Sequence, residues 1–183
     1  MLFEVSTRDW VVKLSPHPDE LVVEVSSECD MNCLHSFRVR ETLEIGVKKI
    51  VFSGRGESLA HPRIDSMVKM CKELGLSVAL NTNGTLLHMF TDLVLRYVDE
   101  LFASLDSASA KTYASLRLLP IFNTVIQSLE EVLRFKQLRC ILKPRVVALC
   151  TVTKLNIEDI VAFLKMARDL GVNEVVFSFS IPL

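Results

Sequence analysis

The sequence predicts an α/β fold of parallel strands, closer to a partial β/α barrel than to an open doubly wound sheet, and three observations carry that prediction. Short β-branched apolar runs alternate with longer stretches of helical period, which is βαβ repetition. The strand runs are continuously apolar rather than alternating, the pattern of a sheet covered on both faces. No Gly-x-Gly-x-x-Gly turn follows the first run, which leans away from the dinucleotide-binding kind of open sheet.

Met1 to Glu20, with Pro16 and Pro18, reads as a strand-rich lead-in covering one end of the barrel, and residues 21–183 as the barrel domain. Strand runs follow at Leu21-Val22-Val23-Glu24-Val25, Lys49-Ile50-Val51-Phe52, Ser77-Val78-Ala79-Leu80, Leu101 to Leu105, Val146-Val147-Ala148-Leu149 and Glu174-Val175-Val176-Phe177. Their centres lie roughly 28 residues apart with one longer interval that holds two helical pieces, so the repeating unit is a right-handed crossover. Ile64, Met67, Val68, Cys71 and Leu74 follow helical spacing, and Gly75 ends that helix as a left-handed cap. Ile160, Val161, Phe163, Leu164 and Ala167 repeat the pattern, with Asn156 as N-cap and Gly171 as terminator. Leu183 follows the sixth run almost at once, from which no auxiliary or substrate-binding extension is expected.

The 183 residues fit one domain, and 21 Lys+Arg against 22 Asp+Glu give a net charge of -1. With no block of Lys or Arg, neither a nucleic-acid-binding arm nor an anionic-membrane anchor is expected. Mean hydropathy is high at +0.34, yet no apolar run reaches the ~18–20 residues that span a bilayer. The apolarity is therefore read as internal. Met1 to Trp10 carries Glu4 and Asp9 and lacks the order of a secretory signal, so a cytoplasmic, reducing location is expected. The five Cys then read as thiols or metal ligands before disulfides.

In parallel β/α folds the chemistry collects at the C-terminal ends of the strands. Here those ends carry Glu28-Cys29-Asp30-Met31-Asn32-Cys33-Leu34-His35-Ser36, then Ser53-Gly54-Arg55-Gly56-Glu57-Ser58, then Asn81-Thr82-Asn83-Gly84, then Ser104-Leu105-Asp106, then Cys150-Thr151-Val152-Thr153. Taken singly, Asn83-Gly84 is a turn, Asp106 and Ser107 are helix caps, and Gly54 and Gly56 tighten a loop. Their shared position on one rim points to a site. Cys29 and Cys33 can reach different metal atoms of a cluster, and thiolates are the ligands that hold iron–sulfur cubes. Zinc on Cys29, Cys33 and His35 is the other metal reading, but no second ligand pair at finger-like spacing follows. Cys71 falls on an apolar helical stripe and reads as core.

In register from about Leu21 to Phe179, these strand ends, together with Val98-Asp99-Glu100-Leu101, resemble the radical S-adenosylmethionine (radical SAM) enzymes. The similarity is to the branch that includes molybdenum-cofactor biosynthesis enzymes and maturases of peptides or tungsten-cofactor oxidoreductases. The resemblance implies a TIM-like partial (β/α)6 barrel with a [4Fe-4S] cluster and S-adenosylmethionine at the strand ends. By position Cys29 and Cys33 match the first two cluster ligands. Gly54, Gly56 and Glu57 match the Gly-Gly-Glu-Pro strand end that meets the methionyl ammonium, with Glu57 expected to be dispensable for folding. Asn83, Ser104 and Asp106 match positions facing the ribose and methionyl carboxylate, Thr151 and Thr153 lie near the nucleoside, and Phe177 and Phe179 either flank adenine or belong to the core. The implied activity is one-electron reductive cleavage of S-adenosylmethionine to a 5'-deoxyadenosyl radical that abstracts hydrogen from a small-molecule or peptide substrate. A donor such as ferredoxin or flavodoxin would supply the electron. The implied alternative is a degenerate, cluster-free barrel that binds a nucleoside or a protein.

The sequence departs from the pattern at two motif positions. The family's loop reads Cys-x-x-x-Cys-x-x-Cys, and its third position here is Ser36, a poor iron ligand. Its Pro is Ser58. The first crossover is also short, with only about ten residues from Ser36 to Gly46 for a loop and a helix. Ser36 is accordingly read as a junction across residues missing between His35 and Phe37, with a Cys expected directly after His35 in an undiminished loop.

Overall fold

The structure, a computed structural model, describes residues 3–7, 10–14, 18–24 and 43–179. An antiparallel hairpin of β1 (Phe3–Thr7) and β2 (Trp10–Leu14) precedes a six-stranded parallel sheet of β3 (Glu20–Glu24), β4 (Lys49–Ser53), β5 (Ser77–Thr82), β6 (Glu100–Ser104), β7 (Arg145–Val152) and β8 (Glu174–Phe179). The six strands lie side by side in sequence order. A doubly wound sheet would reverse direction at an internal strand; here every step goes the same way, which is the order of a barrel. β3 and β8 do not pair, so the barrel is partial.

Alternation along each strand separates two surfaces. Ile50 and Phe52 of β4, Val78 and Leu80 of β5, Leu101 and Ala103 of β6, and Val146, Ala148 and Cys150 of β7 are buried against the crossover helices. Those are α1 (Ile64–Glu73), α2 (Thr91–Tyr97), α3 (Ala110–Arg117), α4 (Phe122–Leu138) and α5 (Ile160–Leu170). The helices contribute Val68, Cys71, Val94, Val125, Leu129, Val132 and Phe163 to the same core. Each fully buried Leu, Ile or Phe contributes about 1.5–3 kcal/mol. The longer interval holds α3 and α4, as the spacing predicts.

Glycine ends two of the helices as the sequence predicts, Gly75 following α1 at φ 79 and Gly171 capping α5 at φ 80. Two expectations for α5 are corrected. Its start is Ile160, after a one-turn 3-10 segment from Ile157 to Asp159, so Asn156 is not its N-cap. Its apolar stripe is also narrower: Phe163 and Ala167 are buried, whereas Val161 and Leu164 are exposed because they point away from the sheet on the neighbouring arc of the helix. β7 runs past Leu149 to Val152, so Thr151 lies inside a strand and not after it.

The end of the sheet opposite the strand C-termini is sealed by charge. Lys49 Nζ of β4 lies 3.2 Å from Glu20 of the neighbouring β3 and 3.0 Å from Glu100 of β6, two strands away on the other side. Burial alone would lower the Lys49 pKa, but the two carboxylates outweigh it and hold it raised. Asp99, 8% exposed, accepts from Lys72 Nζ at 2.7 Å and Val78 N–H at 2.8 Å, and also bonds Lys143. Among the described residues no helix is long and apolar enough to cross a membrane.

Candidate functional site

A cleft of about 140 Å³ opens at the C-terminal ends of β4, β5 and β6. Its first wall is the turn after β4. Gly54 adopts φ +147, and a Cβ there would lie 2.3 Å from Glu24 Cγ, so only glycine fits. The next backbone N–H, of Arg55, donates to Glu24 Oε1 at 3.0 Å. Gly56 lines the cleft beside Glu57.

The Glu57 carboxylate joins this turn to β5. Oε1 accepts from Leu59 N–H at 3.1 Å and from Thr82 Oγ1 at 2.7 Å, and Oε2 accepts from Asn83 N–H at 2.7 Å. A carboxylate offers about four acceptor positions, so one remains, on Oε2. Glu57 is thus a brace between two loops.

Asn83 lines the cleft, and its backbone N–H is held by Glu57. Its side-chain Oδ1 accepts from Thr85 N–H at 2.9 Å and Thr85 Oγ1 at 2.7 Å, closing a turn. Gly84 follows at φ +82, where a Cβ would meet Val125 Cγ1 of α4 at 2.8 Å. Asn81 is the side chain that crosses the floor of the cleft, its Nδ2 donating to Ser53 Oγ at 3.1 Å and its Oδ1 accepting from Ser104 Oγ at 3.4 Å. Sequence reasoning placed Ser104 in the site and passed over Asn81, although Asn81 shares the inward parity of β5 with Ala79.

Arg117 is the second residue missed. It is the last residue of α3, ahead of a left-handed Leu118 at φ 57, and its guanidinium reaches the end of β6. Nη2 lies 2.5 Å from Asp106 Oδ2 and 3.3 Å from the Ser104 carbonyl oxygen, while Nε is buried and unpartnered. Asp106, at φ 57, does not itself line the cleft. Its Oδ1 accepts from Thr151 N–H at 2.8 Å, so it ties α3 and β7 to the end of β6. The cap of α3 is Ser109, not Asp106 or Ser107.

Asn156 is 2% exposed and bridges the same two strand ends, donating to the carbonyls of Asp106 at 2.7 Å and Thr151 at 2.9 Å while accepting from Thr153 N–H at 2.6 Å. An amide committed to these bonds has nothing left for capping α5. Thr151 Oγ1 lies 3.4 Å from Ser178 Oγ of β8, outside the cleft. Phe177 packs its ring 5.8 Å from that of Phe163 on α5 and against the core, whereas Phe179 at the end of β8 is 70% exposed and does not join the core.

Cys29 and Cys33, with His35 and Ser36, lie outside the described residues. Of the remaining cysteines, Cys71 and Cys150 are buried, and burial pushes both thiols up to about 11. Cys140 is exposed and precedes β7, at the end of the sheet away from the cleft.

No protein-family model matches the chain. A tungsten-containing aldehyde ferredoxin oxidoreductase cofactor-modifying protein of Pyrococcus furiosus is 26% identical over 193 positions, covering 89% of this chain and 52% of the relative. An AdoMet-dependent heme synthase of Methanosarcina barkeri is 26% identical over 194, covering 94% and 53%. The chain spans about half the length of these curated relatives. Both matched stretches are longer than the 183 residues of the chain, so the relatives carry residues within them that it lacks. In fold, the chain superimposes on Streptococcus suis SuiB bound to S-adenosylmethionine with TM-score 0.72 at 18% identity, over 92% of this chain and 40% of that one. A radical SAM methyltransferase from Sphaerobacter thermophilus gives 0.50 at 16%, over 79% and 54%.

Proposed function

The chain is related to the radical SAM superfamily, and on that premise we propose that its cleft binds S-adenosylmethionine as the cofactor-binding part of an enzyme. One observation carries the reading. Glu57, with an acceptor position left on Oε2, and Arg117, with its guanidinium at the end of β6, line a single cleft. A carboxylate and a guanidinium together complement an amino-acid zwitterion, the methionyl end of the cofactor. Glu57 takes the ammonium and Arg117 the carboxylate. Asn81 and Ser104, bonded to each other on the floor, orient the ribose hydroxyls, and Asp106 keeps Arg117 aimed into the cleft.

The cluster side is less complete. A cube that leaves one iron open for S-adenosylmethionine is held by three thiolates, and Cys29 and Cys33 supply two. Ser36 offers a hydroxyl, and the two buried thiols and Cys140 are held elsewhere in the fold. The donor set therefore falls one thiolate short, and cofactor binding is the step that this chain's own residues support. With a third thiolate supplied, the wider function is radical hydrogen abstraction from a small-molecule or peptide substrate, driven by a cytoplasmic one-electron donor of the ferredoxin or flavodoxin kind. The second reading is a cluster-free barrel that binds nucleosides, and Ser36 favours it.

Calorimetry with S-adenosylmethionine, before and after anaerobic reconstitution with iron and sulfide, separates the readings. Binding in both states with a cofactor-dependent spectral change after reconstitution supports the radical enzyme. Binding with no cluster formed supports the second reading. No binding in either state refutes both.

A further inference from the structure

β3 and β4 run side by side with Glu24 opposite Ser53, so Glu24 stands next to the point where β4 turns into the cleft wall. Two independent features tie the turn to it. Gly54 approaches so closely that an added Cβ would be 2.3 Å from Glu24 Cγ and 3.1 Å from Glu24 Cα. One residue on, the Arg55 N–H donates to Glu24 Oε1 at 3.0 Å. Among the described residues Glu24 has no ion pair, and its carboxylate is spent on a neighbouring strand's backbone instead of on a cation. The glycine makes room for the stem of the Glu24 side chain, and the carboxylate at its end fixes the path of the glycine turn.

That path decides where Glu57 stands. Only Gly56 separates Arg55 from Glu57, and Glu57 is fixed from its other side by Thr82 and Asn83. We infer that Glu24 is a positioning residue for the cleft: it holds the Gly54 to Glu57 turn so that the free acceptor position of Glu57 faces the ligand. The role rests on the proposed binding of S-adenosylmethionine, and it adds a residue on β3 that touches no ligand. Glu24 also sits five positions before Cys29 in the sequence, so one side chain couples the strand leading to the cysteines with the turn that presents Glu57.

The test compares Glu24→Ala and Glu24→Gln with the parent chain in two measurements. Amide hydrogen exchange at Arg55 reads the clamp without any ligand. Calorimetry reads S-adenosylmethionine affinity. Glu24→Ala should speed Arg55 exchange and weaken binding, each by roughly tenfold, with the thermal midpoint within about 3 °C of the parent. Glu24→Gln keeps an oxygen acceptor and should restore most of both. Unchanged Arg55 exchange in Glu24→Ala would overturn the clamp, and faster exchange with unchanged affinity would overturn the positioning role. A parent chain that binds no S-adenosylmethionine overturns the binding reading, and a protected Arg55 amide then reduces Glu24 to a structural tie.

Discussion

Arg117 reaches from the end of α3 to Asp106 at the end of β6, 2.5 Å away, and leaves its Nε buried and unbonded beside the cleft. The pair aims a cation at the place where the cofactor's carboxylate is proposed to bind. Arg117→Lys should weaken S-adenosylmethionine roughly tenfold, since a lysine ammonium cannot hold Asp106 and a carboxylate in the same fork. 5'-Deoxyadenosine, which lacks the methionyl group, should bind the variant and the parent equally. Equal losses for both ligands, measured by calorimetry, would move Arg117 out of the methionyl subsite.

Glu57→Ala removes an acceptor from three hydrogen bonds at once. A loss of about 1–3 kcal/mol in unfolding free energy is expected, because the Thr82 hydroxyl and two backbone N–H groups lose their partner. Glu57→Gln keeps an oxygen for some of them, so it should fold nearly as well as the parent and still bind S-adenosylmethionine more weakly, the amide lacking the charge that attracts an ammonium. Urea titrations of the two variants beside the binding measurement separate brace from ligand contact.

Asp99 should make the fold sensitive to acid. Burial alone would raise its pKa, but Lys143, Lys72 and the Val78 N–H outweigh that and hold it down to about 2, below the ordinary 3.8. A depressed carboxylate stabilises the folded chain above the unfolded-state value and loses that contribution as pH falls through the folded value. The parent should therefore exceed Asp99→Asn in unfolding free energy near neutrality. That gap should narrow by about 2 kcal/mol between about pH 5 and about pH 2. A gap independent of pH would show that the Lys contacts do not set the Asp99 titration.

Ser58 stands where the family pattern has Pro, and the structure accepts the exchange back. It opens the 3-10 turn from Ser58 to Ala60, Glu57 before it is extended at φ -79 and ψ 117, and the Ser58 hydroxyl is buried without a partner. Pro is favoured at the first helical position and after an extended residue. Ser58→Pro should stabilise the chain by about 0.4–1 kcal/mol, mainly by restricting the unfolded state. A lower thermal midpoint would mean that the pyrrolidine ring does not fit the buried site.

The strands were legible because a sheet covered on both faces demands uninterrupted apolar residues, and Ile50 to Phe52 or Val78 to Leu80 can hardly be anything else. Gly75 and Gly171 were legible because a left-handed cap has a steric signature that needs no partner. Asn156 was misread because an amide serves equally as a cap or as a bridge, and the carbonyls it bridges belong to residues 106 and 151 on two other segments. Arg117 was invisible for a similar reason. Its meaning depends on how α3 packs back against the end of β6, where Asp106 and the Ser104 carbonyl oxygen meet it. The glycine of the β4 turn was found, but its cause, the Glu24 side chain one strand away, could not be.

The strand order has an evolutionary corollary. The residues lining the cleft run from Gly54 to Arg117, one unbroken stretch of the chain, and each strand within it pairs with its immediate successor. Shortening the crossover between Glu24 and Lys49 therefore removes no lining residue and breaks no pairing within that stretch. The segment that carries Cys29 and Cys33 and the cleft after β4 can change at different rates in one polypeptide, and a lineage that trimmed the first would still inherit the second ready-made.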